Sequence, residues 1–142
     1  MNIFIRNQDN DLFKYLSDED MAKLMSLCEK RSLKAGEVIY PRDVAAVLIV
    51  QSGRLSRYSA AGIKGGNVYP GELDLEAGLF SSDIPDYYLK AGGPVEILLC
   101  PYEVIENIPE PKPRAQIQAA LNDSLCLKIA QMTHKNHDED AY

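Results

Sequence analysis

The sequence predicts a mainly β fold with flanking helices: a double-stranded β-helix, or jelly-roll-like barrel, with an N-terminal helix before it and a long C-terminal helix after it. Three observations predict this. Short apolar and β-branched runs recur at close, even spacing between about residues 33 and 100, with turn residues between them. A capped amphipathic segment precedes them. An apolar stripe at helical spacing follows them, behind a run of prolines.

The elements follow in order. Ser17-Asp18-Glu19-Asp20 opens the first helix: Ser17 can cap it, and the acids suit the positive end of the helix dipole. Met21, Leu24, Met25 and Cys28 give one apolar face, and Lys30-Arg31 marks the expected stop. Val38-Ile39-Tyr40 is a strand halted by Pro41. The run from Val44 to Val50 is too short for a buried helix and reads as a strand. Arg54 to Ser59 alternates and reads as another strand, Ala60 to Gly66 as a hairpin tip, and Val68-Tyr69 as a brief strand. Leu75 to Phe80 is one helical turn; Tyr87 to Lys90 and Val95 to Cys100 are further strands. Gly36, Gly53 and Gly71 are turn residues. Tyr102 to Ile108 is a short helix, and Pro109, Pro111 and Pro113 form a break. From Arg114, the residues Ile117, Leu121, Leu125, Ile129 and Met132 define one helix of about five turns. The polar tail from His137 is expected to fray. The whole chain, 1–142, reads as one domain, with the barrel at about 33–100 and the C-terminal helices at about 101–134.

Composition narrows the function. Net charge is −6, which disfavours direct binding to DNA or to an anionic membrane. No apolar run reaches membrane-spanning length and no signal peptide is visible, so a cytoplasmic location is expected. Cys28, Cys100 and Cys126 have no paired spacing and read as reduced, buried thiols. They form no metal-ligand pattern with His134 and His137, and both histidines lie beyond the barrel, so no metal, no cofactor and no enzymatic activity is expected.

One segment carries more specific information: Pro70-Gly71-Glu72-Leu73-Asp74-Leu75-Glu76-Ala77-Gly78-Leu79-Phe80, with Lys90-Ala91 further on. With Lys34-Ala35-Gly36-Glu37-Val38-Ile39-Tyr40 and Ile49-Val50-Gln51-Ser52-Gly53-Arg54-Leu55, it resembles the cyclic nucleotide-binding domain, in particular the sensor half of the catabolite activator and fumarate-nitrate regulator family. The resemblance covers about residues 12–135, and no sequence remains for the helix-turn-helix that follows in that family. It implies the barrel described above, a ligand site at Leu75, Glu76, Ala77, Gly78, Asp86 and Tyr87, and a dimer through Ile117, Leu121, Leu125, Ile129 and Met132 of the long helix.

Two departures argue against the family's ligand. Leu75 stands where the family has Gly, and Pro85 or Asp86 where it has the phosphate-binding Arg. A branched side chain then lies where the phosphate would approach, and an acid replaces the cation. Losing one partner of a desolvated charge pair costs about 2–5 kcal/mol. Glu76 matches the family's ribose-binding Glu; the simpler reading is a solvated acid opening a helical turn. Of Tyr87 and Tyr88, adjacent in a strand, at most one can face the barrel interior. The expected function is a non-catalytic regulatory or interaction module that has lost ordinary cyclic AMP and cyclic GMP binding, with a protein partner. The alternative is a sensor for another small molecule, or for a cyclic nucleotide held atypically, signalling to an output partner.

Overall fold

The computed structural model describes residues 10–81 and 86–140, with side chains described up to residue 130. Helix α1 (Asp18–Met25) is capped by Ser17, whose hydroxyl accepts from the Asp20 N–H. It ends before the expected Lys30-Arg31 stop. Glu29–Leu33 is instead strand β1, because these residues complete an antiparallel ladder on the edge of a sheet. An edge strand covered on one side only tolerates the polar composition that hid it in the sequence.

The remaining strands are β2 (Val38–Ile39), β3 (Ala46–Ser52), β4 (Leu55–Tyr58), β5 (Lys64–Val68), β6 (Leu73–Asp74), β7 (Tyr88–Ala91) and β8 (Val95–Pro101). They form two four-stranded antiparallel sheets, ordered β1-β8-β3-β6 and β2-β7-β4-β5. The barrel thus begins at Glu29 rather than near residue 33. Strand β6 is only two residues long and carries no alternation of its own, and β5 begins with Lys64-Gly65-Gly66, a composition that reads as a hairpin tip. Helix α2 spans Tyr102–Glu106 and helix α3 spans Pro111–Asp140. Helix α3 is longer at both ends than its apolar stripe suggested. Pro111 and Pro113 sit in its first turn, where a missing N–H costs nothing, so they start the helix instead of breaking the chain.

The two sheets differ in burial, and this positions everything else. Between them lies one core: Leu33, Ile39, Leu48, Val50, Leu55, Val68, Leu75, Leu89, Ala91, Ile97 and Leu99 among others, with Tyr87 packed against it. The far face of the β1-β8-β3-β6 sheet carries a second core, built with Leu12, Phe13, Met21 and Leu24 and with Ile105, Ile108, Ile117 and Leu121 from the helices. Strand β3 is therefore apolar on both faces, which explains the unbroken run from Ala46 to Val50. The outer face of the β2-β7-β4-β5 sheet is only partly covered and alternates.

Candidate functional site

The connection from β6 into the following 3-10 turn, Glu76–Leu79, is the segment singled out in the sequence. Leu75 joins the two and is the only non-glycine residue with positive φ among the described residues (φ 67°, ψ 8°). The chain thus keeps the left-handed conformation that glycine adopts freely, at a cost of about 1–2 kcal/mol for a residue with a Cβ. The Leu75 side chain is 3 % exposed and fills space between the two sheets. Its N–H donates to Asp74 Oδ1 at 2.7 Å, and its carbonyl accepts from the Tyr102 hydroxyl. Gly78 lies under the same tyrosine: a Cβ there would stand 2.3 Å from the Tyr102 hydroxyl oxygen, so any larger residue would force that ring to shift.

Glu76 corrects the expectation of a solvated acid. It is 2 % exposed, and both carboxylate oxygens are taken by helix α3. Lys128 Nζ donates to Oε1 at 2.6 Å, and Ser124 Oγ donates to Oε2 at 2.7 Å. Lys128 also donates to the Leu73 carbonyl at 3.0 Å. Ser124 and Lys128 are four apart and so share one helix face. One turn of that helix therefore supplies both donors. The same helix is tied to the N-terminal segment by a Lys14–Asp123 ion pair of 3.3 Å and a hydrogen bond from the Tyr15 hydroxyl to Asp123.

A second polar group lies toward the inner core. Arg57 Nε donates to Asp74 Oδ2 at 2.6 Å, and the Tyr87 hydroxyl donates to Asp74 Oδ1. Arg57 enters from β4 on the same side as Leu55, facing β7 at Leu89. Burial works against its charge, but the Asp74 carboxylate outweighs this and holds its pKa above the ordinary value. Burial, with the nearby Asp74 charge, pushes the Tyr87 phenol well up. Burial does the same to Tyr102, with Glu76 and Asp74 adding to it. Arg57 of β4 is partly exposed, and its charge is already matched by the buried Asp74.

The six residues expected at a ligand site diverge. Leu75 and Tyr87 meet in and beside the inner core. Glu76 turns to α3. Ala77 is exposed, Gly78 packs under Tyr102, and Asp86 is exposed on the outside. Asp86 and Tyr87 instead line an open cavity of about 490 Å³ with Tyr40, Arg42, Ala60 and Tyr88. Tyr88 faces outward, opposite to Tyr87, stacked on Tyr58 with centroids 5.4 Å apart and tilted against Tyr40 at 5.8 Å. Pro85, the other position aligned with the missing Arg, lies outside the described residues.

The long-helix residues also divide. Ile117 and Leu121 are fully buried in the chain's own core and offer no surface to a second copy, contrary to expectation. Leu125 is half-buried, whereas Leu127 (57 %) and Ile129 (62 %) are exposed. The side chains of Met132, His134 and His137 lie outside the described residues.

Sequence reasoning missed Arg57, Asp74, Tyr102, Ser124 and Lys128. Two signals were available. Alternation places Arg57 on the same side as Leu55, and the i,i+4 spacing places Ser124 with Lys128. Tyr102 carried no local signal, because its role depends on a contact 27 residues away.

No family model matches the chain, and no curated protein matches it. Solved structures do. A Geobacter metallireducens protein described as cyclic nucleotide-binding superposes with a TM-score of 0.68 at 16% identity, covering 91% of this chain and 99% of that one. The chain has the cyclic nucleotide-binding fold. The sensor domain of the transcriptional regulator DNR from Pseudomonas aeruginosa matches at 0.62 and 19% identity, over 93% of this chain and 89% of that one. The regulatory subunit of a cAMP-independent protein kinase A from Trypanosoma cruzi, solved with guanosine, matches at 0.59 and 17%, over 71% of this chain and 37% of that one. The cyclic nucleotide-binding fold therefore occurs here with Glu76 bonded to Ser124 and Lys128 of α3.

Proposed function

We propose that this chain is a non-catalytic regulatory module that works through protein contacts and does not bind cyclic AMP or cyclic GMP in the ordinary way. One observation carries the reading: both oxygens of Glu76, the acid a ribose would need, are held by Ser124 and Lys128 of the chain's own helix. Leu75 adds a side chain where the family's Gly leaves room, and Arg57 is neutralised by Asp74. Solved regulatory and sensor domains of the same fold support the regulatory part. We further propose a cytoplasmic protein that forms a homodimer. The exposed Leu127 and Ile129 of α3 would supply its apolar contact. Among the described residues no helix is long and apolar enough to cross a membrane. The acidic balance argues against DNA as a direct partner.

A nucleotide bound in the ordinary way would have to displace Lys128 from Glu76. Hydrogen exchange over Leu73–Leu79 and the middle of α3, with and without about 1 mM nucleotide, tests this. That concentration is about a hundredfold above a dissociation constant of 10 μM. The expected result is identical exchange. Protection of Leu73–Leu79 by cyclic AMP or cyclic GMP would defeat the reading.

The open cavity supports a second reading, a sensor for another small molecule. Its wall of Tyr40, Tyr87 and Tyr88 with Arg42 and Asp86 offers aromatic faces and both charges. A ligand there would leave the Glu76–Lys128 pair intact.

A further inference from the structure

We infer that Cys28 and Cys100 form an oxidisable pair, a site of reversible disulfide formation that takes a low-molecular-weight disulfide as its oxidant. The topology brings them together. Strands β1 and β8 pair antiparallel with Glu29 opposite Leu99, so one further step in register sets Cys28 against Cys100. Their sulfurs are 2.6 Å apart. A bonded pair lies at about 2.05 Å, so closing the bond needs a shift of only a fraction of an ångström. Sequence spacing could not show this, because the two residues are 72 apart. All three cysteines are free thiols in the structure, as expected, but Cys126, expected to be buried, is exposed.

The two thiols are unequal in a way that assigns their order of reaction. Cys100 is fully buried in the outer core, while Cys28 lies at its rim, half-buried, with its thiol donating to the Leu24 carbonyl at 3.2 Å. The hydrogen bond with Cys28, and then burial, push the Cys100 thiol up. A small disulfide can therefore reach Cys28 but not Cys100. The Cys28 thiolate attacks one sulfur of the oxidant, whose S–S bond breaks, and its other half leaves as a thiol after taking a proton. Cys100 then loses its proton, attacks Cys28 Sγ, and expels the second half as a thiol. Two protein thiols are oxidised by two electrons, and one disulfide is reduced to two thiols. The new bond would fasten the connection between α1 and β1 to β8, pinning the helix whose Met21 and Leu24 cover the outer core. Cys126, exposed on α3, is an internal reference.

The test uses the full chain equilibrated in mixtures of reduced and oxidised glutathione, quenched with acid, alkylated in denaturant and mapped by peptide mass. The wild type and Cys126→Ser should lose two alkylatable thiols together and yield a Cys28–Cys100 linked peptide. Their melting temperature should rise on the order of 10 °C, as expected for a cross-link closing a loop of this length. Cys28→Ser should yield no linked peptide and no rise. The inference is overturned if all three thiols of the wild type stay alkylatable in the most oxidising mixture. It is equally overturned if glutathione remains on Cys28, or if the linked peptide contains Cys126.

Discussion

At the scale of single residues, two side chains carry the proposal. Leu75 adopts glycine's backbone conformation but places a branched side chain in the inner core, where burial of about 2 kcal/mol of apolar surface offsets the strain. Glu76 is neutralised within the chain. The first was legible from the sequence, because Leu in a Gly position is visible. The second was not, because Lys128 lies 52 residues away and only the docking of α3 brings it near. Tyr87 and Tyr102 yield a pH prediction. Both hold pKa values above the usual 10.0, chiefly through burial. The folded chain therefore keeps protons that the unfolded chain gives up near pH 10, so stability is full below that point and declines as pH rises beyond it. Melting scans should show this decline, and it should be shallower in Tyr87→Phe. Parallel slopes for the two proteins would remove Tyr87 from the account.

At the scale of elements, periodicity found most strands and both long-range helical faces, since burial on one side imposes a repeat that local residues carry. It failed where partners decide. β1 is polar because it is an edge, and the start of β5 is glycine-rich because its register against β4 shifts at Gly65-Gly66. Helix α3 shows the limit most clearly, because its apolar stripe marks one continuous face in the sequence but two environments in space. Glu at Leu121 would bury an unpaired charge in the outer core and should cost about 4 kcal/mol or more. Glu at Ile129 should leave the fold within about 0.5 kcal/mol, because that side chain is exposed. Urea unfolding separates the two, and sedimentation adds the oligomeric state. The wild type should sediment as a dimer and Ile129→Glu as a monomer. Equal costs at the two positions, or a monomeric wild type, would contradict this division of the helix.

At the scale of the whole molecule, the two sheets have different tasks. The β1-β8-β3-β6 sheet is buried on both faces at β3 and β8 and carries the helices, whereas the β2-β7-β4-β5 sheet exposes its outer face, where Tyr88 contacts both Tyr40 and Tyr58. The fold was legible because a jelly-roll barrel needs strands at even spacing and a glycine-marked turn into a short helix, and these survive at low identity. The chemistry of the cassette was only half legible, as a loss of Gly and Arg. The groups bonded to Asp74 and Glu76 come from β4 and α3; local pattern pairs Arg57 with Leu55 and Ser124 with Lys128 but does not show what they meet. The central claim is that the chain's own side chains fill the roles of the ligand. Isothermal titration of the full chain with cyclic AMP and with cyclic GMP tests it most directly. The account predicts no heat of binding up to millimolar nucleotide, a free energy weaker than about −4 kcal/mol. A saturable isotherm with a dissociation constant below about 10 μM for either nucleotide would contradict it.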